Sequence, residues 1–292
     1  MEKDVIYLAL SLIGLCFGSF AGASVWRLRA RQLADDKANR MDYDKAEQRR
    51  LQKLTTGGLM NDRSRCLHCS YTLRWYDLIP LISWLCLGGK CRHCRTPIGR
   101  LEPLIELGVA VFFVGSFAFW PYPLGSSIEI ARFVIWLAAG VCLAILFAYD
   151  AKWFLLPDKL NFTVIGLGLI SASLVVLQSP DAVGALLSVA GSVMILSGLY
   201  YVLYLISRGE WVGFGDIKLG LGLALLLADW RLAFVALFAA NLIGCLIVIP
   251  AMALGKLKRN SRVPFGPLLI LGFVVAQLAG SFLIETYLLS MS

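Results

Sequence analysis

Charge is scarce in this chain. Only 16% of its 292 residues are Asp, Glu, Lys or Arg, against 59% hydrophobic residues, a balance that excludes an ordinary soluble globular domain. Histidine is limited to two residues, His68 and His93. A serine or cysteine nucleophile therefore lacks an obvious histidine base. Acidic residues are outnumbered, 19 against 27 Lys and Arg, for a net charge of +8. Such an excess could point to nucleic acid, but its distribution along the chain has a different explanation.

What the chain has instead is long apolar runs. Crossing a hydrocarbon core of ~30 Å takes about 20 apolar residues in a helix. Runs of this kind lie at Val5 to Trp26, Leu104 to Trp120, Ile128 to Tyr149, Leu160 to Leu177, Val183 to Ile206, Leu232 to Leu254 and Pro264 to Leu289. An eighth run, Ile217 to Trp230, has 14 residues, roughly 21 Å of helix. The expected fold is an all-α polytopic membrane protein of about eight transmembrane helices. Threaded from an external N-terminus, the spans leave only Lys3, Arg132 and Arg231 outside and every other Lys and Arg inside. The positive-inside bias thus accounts for the basic balance without nucleic acid. The first run exceeds a signal-peptide core and its basic residues, Arg27, Arg29 and Arg31, follow it, so a retained span is expected. Within it Gly14, Gly18, Ser19 and Gly22 make one small-residue face suited to helix packing.

The region Arg31 to Leu59 is rich in acids and bases spaced three or four apart, such as Asp36 with Arg40, Asp42 with Lys45 and Glu47 with Arg50, and predicts a solvated helix ended by Thr55-Thr56-Gly57-Gly58. Two Cys-x-x-Cys pairs follow, Cys66 with Cys69 and Cys91 with Cys94, separated by 21 residues, close to the usual spacer of about 20. Four thiolates close a tetrahedron around zinc and leave no position for water, so the expected metal is structural. A disulfide reading fits poorly with a loop facing a reducing cytosol. His68 and His93 lie inside the knuckles and are expected to be spectators, with either able to replace a cysteine as ligand. Between the pairs, Leu73 to Leu85 holds Trp75, Tyr76 and Trp84, which suit the headgroup region. Glu106, one turn into the second span, is expected to pair with a basic residue or to hold a positively charged substrate group.

Two aspartates end or interrupt apolar runs. Asp150 closes the run Ile128 to Tyr149, and Asp216 lies in Gly213-Phe214-Gly215-Asp216-Ile217-Lys218, between two others. The threading puts both on the cytoplasmic face. Two close carboxylates do not both ionise easily, so a pair shares a proton near neutrality; one member can activate water while the other polarises a carbonyl. That is amide hydrolysis without a covalent intermediate. The plainer alternative has Asp216 cap the short helix and Asp150 reach the headgroups. Asp158, after Pro157, is expected to cap the following span.

Several stretches together resemble the type IV prepilin leader peptidases, aspartic proteases of the bacterial cytoplasmic membrane with a Gly-x-Gly-Asp signature. They are Gly18-Ser19-Phe20, the paired cysteine knuckles, Arg74-Trp75-Tyr76-Asp77 with Ile79-Pro80 and Ser83-Trp84, Pro103-Leu104-Ile105-Glu106, Asp150 with Leu156-Pro157-Asp158, Gly213-Phe214-Gly215-Asp216, and Pro264-Phe265-Gly266-Pro267. The resemblance covers nearly the whole chain in order. It implies Asp150 and Asp216 as the catalytic pair, with Gly213, Gly215 and Lys218 as supporting motif, and pilin-like precursors with basic leaders as substrates cut at the cytoplasmic face. Many such proteins also methylate the new N-terminus with S-adenosylmethionine. The family often has Asn shortly after Gly-Ser-Phe and Pro after Arg-Leu, where this chain has Ala21-Gly22-Ala23 and Arg29; the resemblance therefore leaves methyl transfer open. The expected organisation is a first transmembrane helix at 1–26, a cytoplasmic loop with the four-cysteine zinc site at 27–102, and a seven-helix peptidase core at 103–292. A zinc-stabilised membrane scaffold or transporter without enzymatic activity is the competing class, but no internal repeat supports it.

Overall fold

The computed structural model describes residues 2–54, 63–258 and 261–291. The predicted stop at Thr55-Thr56-Gly57-Gly58, and Arg259 and Asn260 of the predicted cytoplasmic turn, lie outside them. Among the described residues the chain is helical, with no strand beyond two isolated bridges. It forms two compact units, Met1–Gly115 and Ser116–Ser292. Seven helices of the described residues are long and apolar enough to cross a membrane, matching the seven long apolar runs, and the chain is a multi-pass membrane protein.

In the first unit, helix α1 (Glu2–Ala38) continues well past the apolar run. Its extension is amphipathic: Val25, Trp26, Ala30 and Leu33 are buried at the three-to-four-residue spacing of one helix face. Helix α2 (Lys45–Leu51) follows a turn and is capped by Asp44, whose carboxylate accepts from the Ala46 and Glu47 N–H groups. The single solvated helix expected here is thus two helices. Glu47 pairs with Arg29 at 2.7 Å rather than with its neighbour Arg50, because Leu51 and Leu54 are buried and turn α2 against α1.

After the short helix α3 (Ile82–Cys86) comes α4 (Leu101–Ala118). The glycines of α1 are where α4 approaches. A Cβ on Gly14 would lie 2.7 Å from Ala110 Cα, and one on Gly18 would lie 2.5 Å from Glu106 Cα. Both are closer than any side chain tolerates, so these positions require glycine for backbone contact, as the small-residue face predicted.

The second unit contains α5 (Ser127–Trp153), α6 (Asp158–Gln178), α7 (Ala182–Val193), α8 (Leu199–Ser207), α9 (Phe214–Leu227), α10 (Trp230–Ala253) and α11 (Phe265–Met291). Helices α7 and α8 are one span joined by a π-helical turn at Met194–Gly198. The short eighth run is α9, and it is the core of this unit: Ile217, Leu219, Gly220 and every residue from Gly222 to Leu227 are buried. Surrounded by protein, it does not need the length of a lipid-facing span. Its tightest neighbour is the π turn. Gly220 lies so close to the Leu196 carbonyl that no Cβ fits; Ser192 donates to Ala224 O at 2.9 Å and Ser197 to Ile217 O at 3.1 Å. On its other side Gly222 meets Val164 of α6.

Candidate functional site

The end of α5, the start of α9 and the start of α11 meet in the second unit. Helix α5 stops at Phe154, whose left-handed backbone, φ 56°, lets its N–H return to Asp150 O. Asp150, 5% exposed, is therefore fixed in the last full turn. Its Oδ2 accepts the Gly266 N–H at 3.0 Å, one of the first-turn donors of α11 that have no intrahelical acceptor. A Cβ on Gly266 would stand 2.8 Å from the same oxygen. Glycine is what allows the α11 backbone to reach the carboxylate.

Asp216 is in the first turn of α9 and partly buried. Its Oδ2 accepts the Gly213 N–H at 3.2 Å, so the capping role expected as the plainer alternative is present. That cap takes one carboxylate oxygen, Oδ2. Leu156 is wedged between the two helix starts, 3.0 Å from a Cβ on Gly215 and 3.4 Å from one on Gly266. Asn161 of α6 is fully buried and directs its amide to the Gly215 carbonyl at 3.5 Å. The Gly-x-Gly-Asp turn is thus clamped by α6, by Leu156 and by its own cap.

Two expectations are corrected nearby. The N-cap of α6 is Pro157 rather than Asp158. Asp158 instead forms an ion pair with Lys218 at 2.6 Å, so Lys218 ties α9 to α6, with its ammonium also 5.0 Å from the Phe214 ring. The Pro157 ring fixes a backbone already suited to the cap position, which leaves the Asp158 carboxylate available for the lysine. Gly266, Leu156 and Asn161 carry no signal in the sequence by composition or period, although the first two fall within the stretches that carry the resemblance.

In the first unit the sulfurs of Cys66, Cys69, Cys91 and Cys94 lie within 4.8 Å of one another, and the Cys66 and Cys94 sulfurs are 3.9 Å apart. A tetrahedron of thiolates about 2.3 Å from zinc has edges of about 3.8 Å, so the donor set fits that ion. The two knuckles repeat one backbone design. Ser70 N–H returns to Cys66 O and Arg95 N–H to Cys91 O, both at 2.9 Å, with Ser70 and Arg95 in the left-handed region at φ 60° and 56°. The bridges Arg65 with Thr72 and Lys90 with Pro97 close the knuckles. Hydrogen bonds from Thr96 lower the Cys94 thiol to about 6, whereas burial pushes Cys66 up to about 12. His93 stacks on Tyr71, ring centroids 4.9 Å apart, and neither histidine belongs to the four-sulfur cluster. Between the knuckles, Asp77 is held by Arg92 at 2.7 Å. Glu106 is buried and accepts the Leu81 N–H at 2.8 Å, a backbone donor where a basic residue or a positively charged substrate group was expected.

Comparison with known proteins gives two family models. Residues 12–120 match the Bacterial Peptidase A24 N-terminal domain, and residues 137–249 match the Type IV leader peptidase family. Among relatives, the chain is similar to a prepilin leader peptidase/N-methyltransferase of Pseudomonas aeruginosa, 29% identical over 95% of this chain and 91% of that protein. The protein of that name from Aeromonas hydrophila is 30% identical over 95% and 92%. A type 4 prepilin-like proteins leader peptide-processing enzyme of Escherichia coli is 33% identical over 89% and 88%. No solved structure matches the chain.

Proposed function

The chain belongs to the type IV leader peptidase family, an enzyme family, and from that premise we propose that it removes the basic leader of pilin-like precursors at the cytoplasmic face of a bacterial inner membrane. Asp150 and Asp216 share the work on one water. The ionised member takes a proton from water as its oxygen attacks the scissile carbonyl carbon; the protonated member gives a proton to the carbonyl oxygen. Collapse of the tetrahedral adduct breaks the C–N bond; the amine leaves with the proton taken from water, and one hydroxyl of the adduct returns its proton to the other aspartate as the new carboxyl group forms. The observation that carries this reading is that Leu156 packs against both Gly215, next to Asp216, and Gly266, whose N–H binds Asp150, while Asp216 takes the Gly213 N–H.

Gly213 and Gly215 let the turn pack closely, and Lys218 fixes it to α6. Within the organisation proposed, residues 103–292 are the peptidase core and 27–102 the cytoplasmic loop. Cys66, Cys69, Cys91 and Cys94 would hold zinc, which supplies rigidity to that loop and no open ligand position. Methylation of the new N-terminus with S-adenosylmethionine is the second activity proposed, carried by the names of the relatives.

The test is incubation of purified protein with a precursor bearing a basic leader, a glycine junction and the following apolar helix, with and without S-adenosylmethionine. Mass spectrometry should find a mature N-terminus beginning after the glycine and, with the methyl donor, one added methyl group. An uncut precursor in the presence of folded, zinc-loaded protein contradicts the peptidase reading; a cut but unmodified product contradicts only the transferase.

A further inference from the structure

We propose that the hydroxyl of Tyr200 is the hydrogen-bond donor for the carbonyl oxygen of the scissile peptide. The proposal rests on the two-aspartate reading above and adds a third side chain to it.

The placement follows from α8 running against α9. One turn before Tyr200, Ser197 donates to Ile217 O at 3.1 Å. One turn after it, the Tyr204 ring lies 5.7 Å from that of Phe214. Residues 197, 200 and 204 share a helix face, so Tyr200 falls at the level of Asp216, between those two contacts. On the other side the Tyr200 ring packs edge-on against Phe265, centroids 5.2 Å apart, and the next residue, Gly266, holds Asp150. Tyr200 therefore spans both arms of the site.

Tyr200 is 5% exposed, and its oxygen has no partner in hydrogen-bonding geometry among the described residues. The Asn241 side chain of α10 faces this hydroxyl; one of its two amide protons goes to Leu237 O at 2.8 Å, and the other, directed at the phenol oxygen, still leaves the phenol proton without an acceptor. A buried phenol usually finds a partner, since leaving one unmade costs about 1–3 kcal/mol. A phenol proton without an acceptor beside the carboxylates suits one that arrives with the substrate, as the side chains that bury the hydroxyl give way to the precursor. As water adds and the carbonyl oxygen gains charge, the hydroxyl strengthens its hydrogen bond to that oxygen and keeps its own proton; proton transfer stays with the aspartates.

The experiment compares wild type, Tyr200→Phe, Asp150→Asn and Asp216→Asn on one synthetic precursor, measuring kcat, KM and the affinity of the uncleaved precursor. Tyr200→Phe keeps the ring that packs on Phe265. Loss of one oxyanion donor lowers kcat by about 10²- to 10³-fold; we expect that loss with KM and precursor affinity unchanged within about twofold. A kcat within threefold of wild type overturns the proposal, as does a loss confined to KM or accompanied by an equal loss of precursor affinity. Full cleavage by either folded Asn variant overturns the dyad itself, a failure distinct from an active Tyr200→Phe beside two inactive Asn variants.

Discussion

The cysteine cluster and the aspartate pair are each assembled from two separated motifs, but different forces hold them. The cysteines sit on two near-identical turns within one short loop, and each turn closes its own backbone hydrogen bonds. Little besides a metal is needed to join them. The aspartates come from helices whose approach is fixed by close packing at Gly220, Gly222 and Gly266. A metal site can therefore be read from spacing, because the ion imposes the geometry, whereas a carboxylate pair in a helix bundle is only as well defined as the packing around it.

This contrast can be broken first at the aspartates. Asp150→Asn or Asp216→Asn should each lower kcat at least ~10³-fold, the scale of removing a member of a cooperating catalytic set, while the folded protein remains in the membrane; a steady-state cleavage assay decides it. The loss from Tyr200→Phe should come next. Gly266→Ala then sharpens the packing claim. Its Cβ would press on Asp150 Oδ2, and a displacement of about 1 Å can cost ~10²-fold. The expected result is a fall in kcat with normal precursor binding; unchanged kcat would show that the backbone contact does not position Asp150.

On the other side of the comparison, Cys91→Ser should abolish stoichiometric zinc by elemental analysis and expose the loop to protease, with kcat reduced less than by Gly266→Ala. Loss of zinc without loss of protease resistance would contradict the structural role. The smallest effect belongs to Asp158→Asn. Its ion pair with Lys218 has one partner 59% exposed, and pairs of that kind contribute ~0–1 kcal/mol. Most activity should survive, with a small fall in melting temperature; a loss comparable to that of Asp216→Asn would move Asp158 into the chemistry.

The sequence made the spans legible because lipid selects composition over about 20 residues. It was less informative about helix ends. The apolar run stops at Trp26 while α1 reaches Ala38, since a protein-facing stripe of Val25, Ala30 and Leu33 continues where lipid contact ceases. The cysteine tetrad was legible from spacing alone. Pairing Asp150 with Asp216 needed a topological argument, charge distribution across loops, and could not supply the contacts that orient them. Gly266 at Asp150 depends on where α11 begins, and Tyr200 is one polar residue in an apolar run whose level against α9 depends on the π turn at Met194–Gly198. General preference predicts a capping role for Asp158 and, for Glu106, a basic partner or a positively charged substrate group. Their actual partners, Lys218 and the Leu81 N–H, are set by chain crossings that no local pattern encodes.

A double-mutant cycle tests most directly whether Asp150 and Asp216 form one catalytic unit. Cleavage rates would be measured for wild type, Asp150→Asn, Asp216→Asn and the double variant on one precursor, each confirmed folded by its melting profile. Residues acting on a single water are not additive, so the double variant should cleave no more slowly than either single one. Losses that multiply in the double variant, or a full rate in either single one, would contradict a shared site.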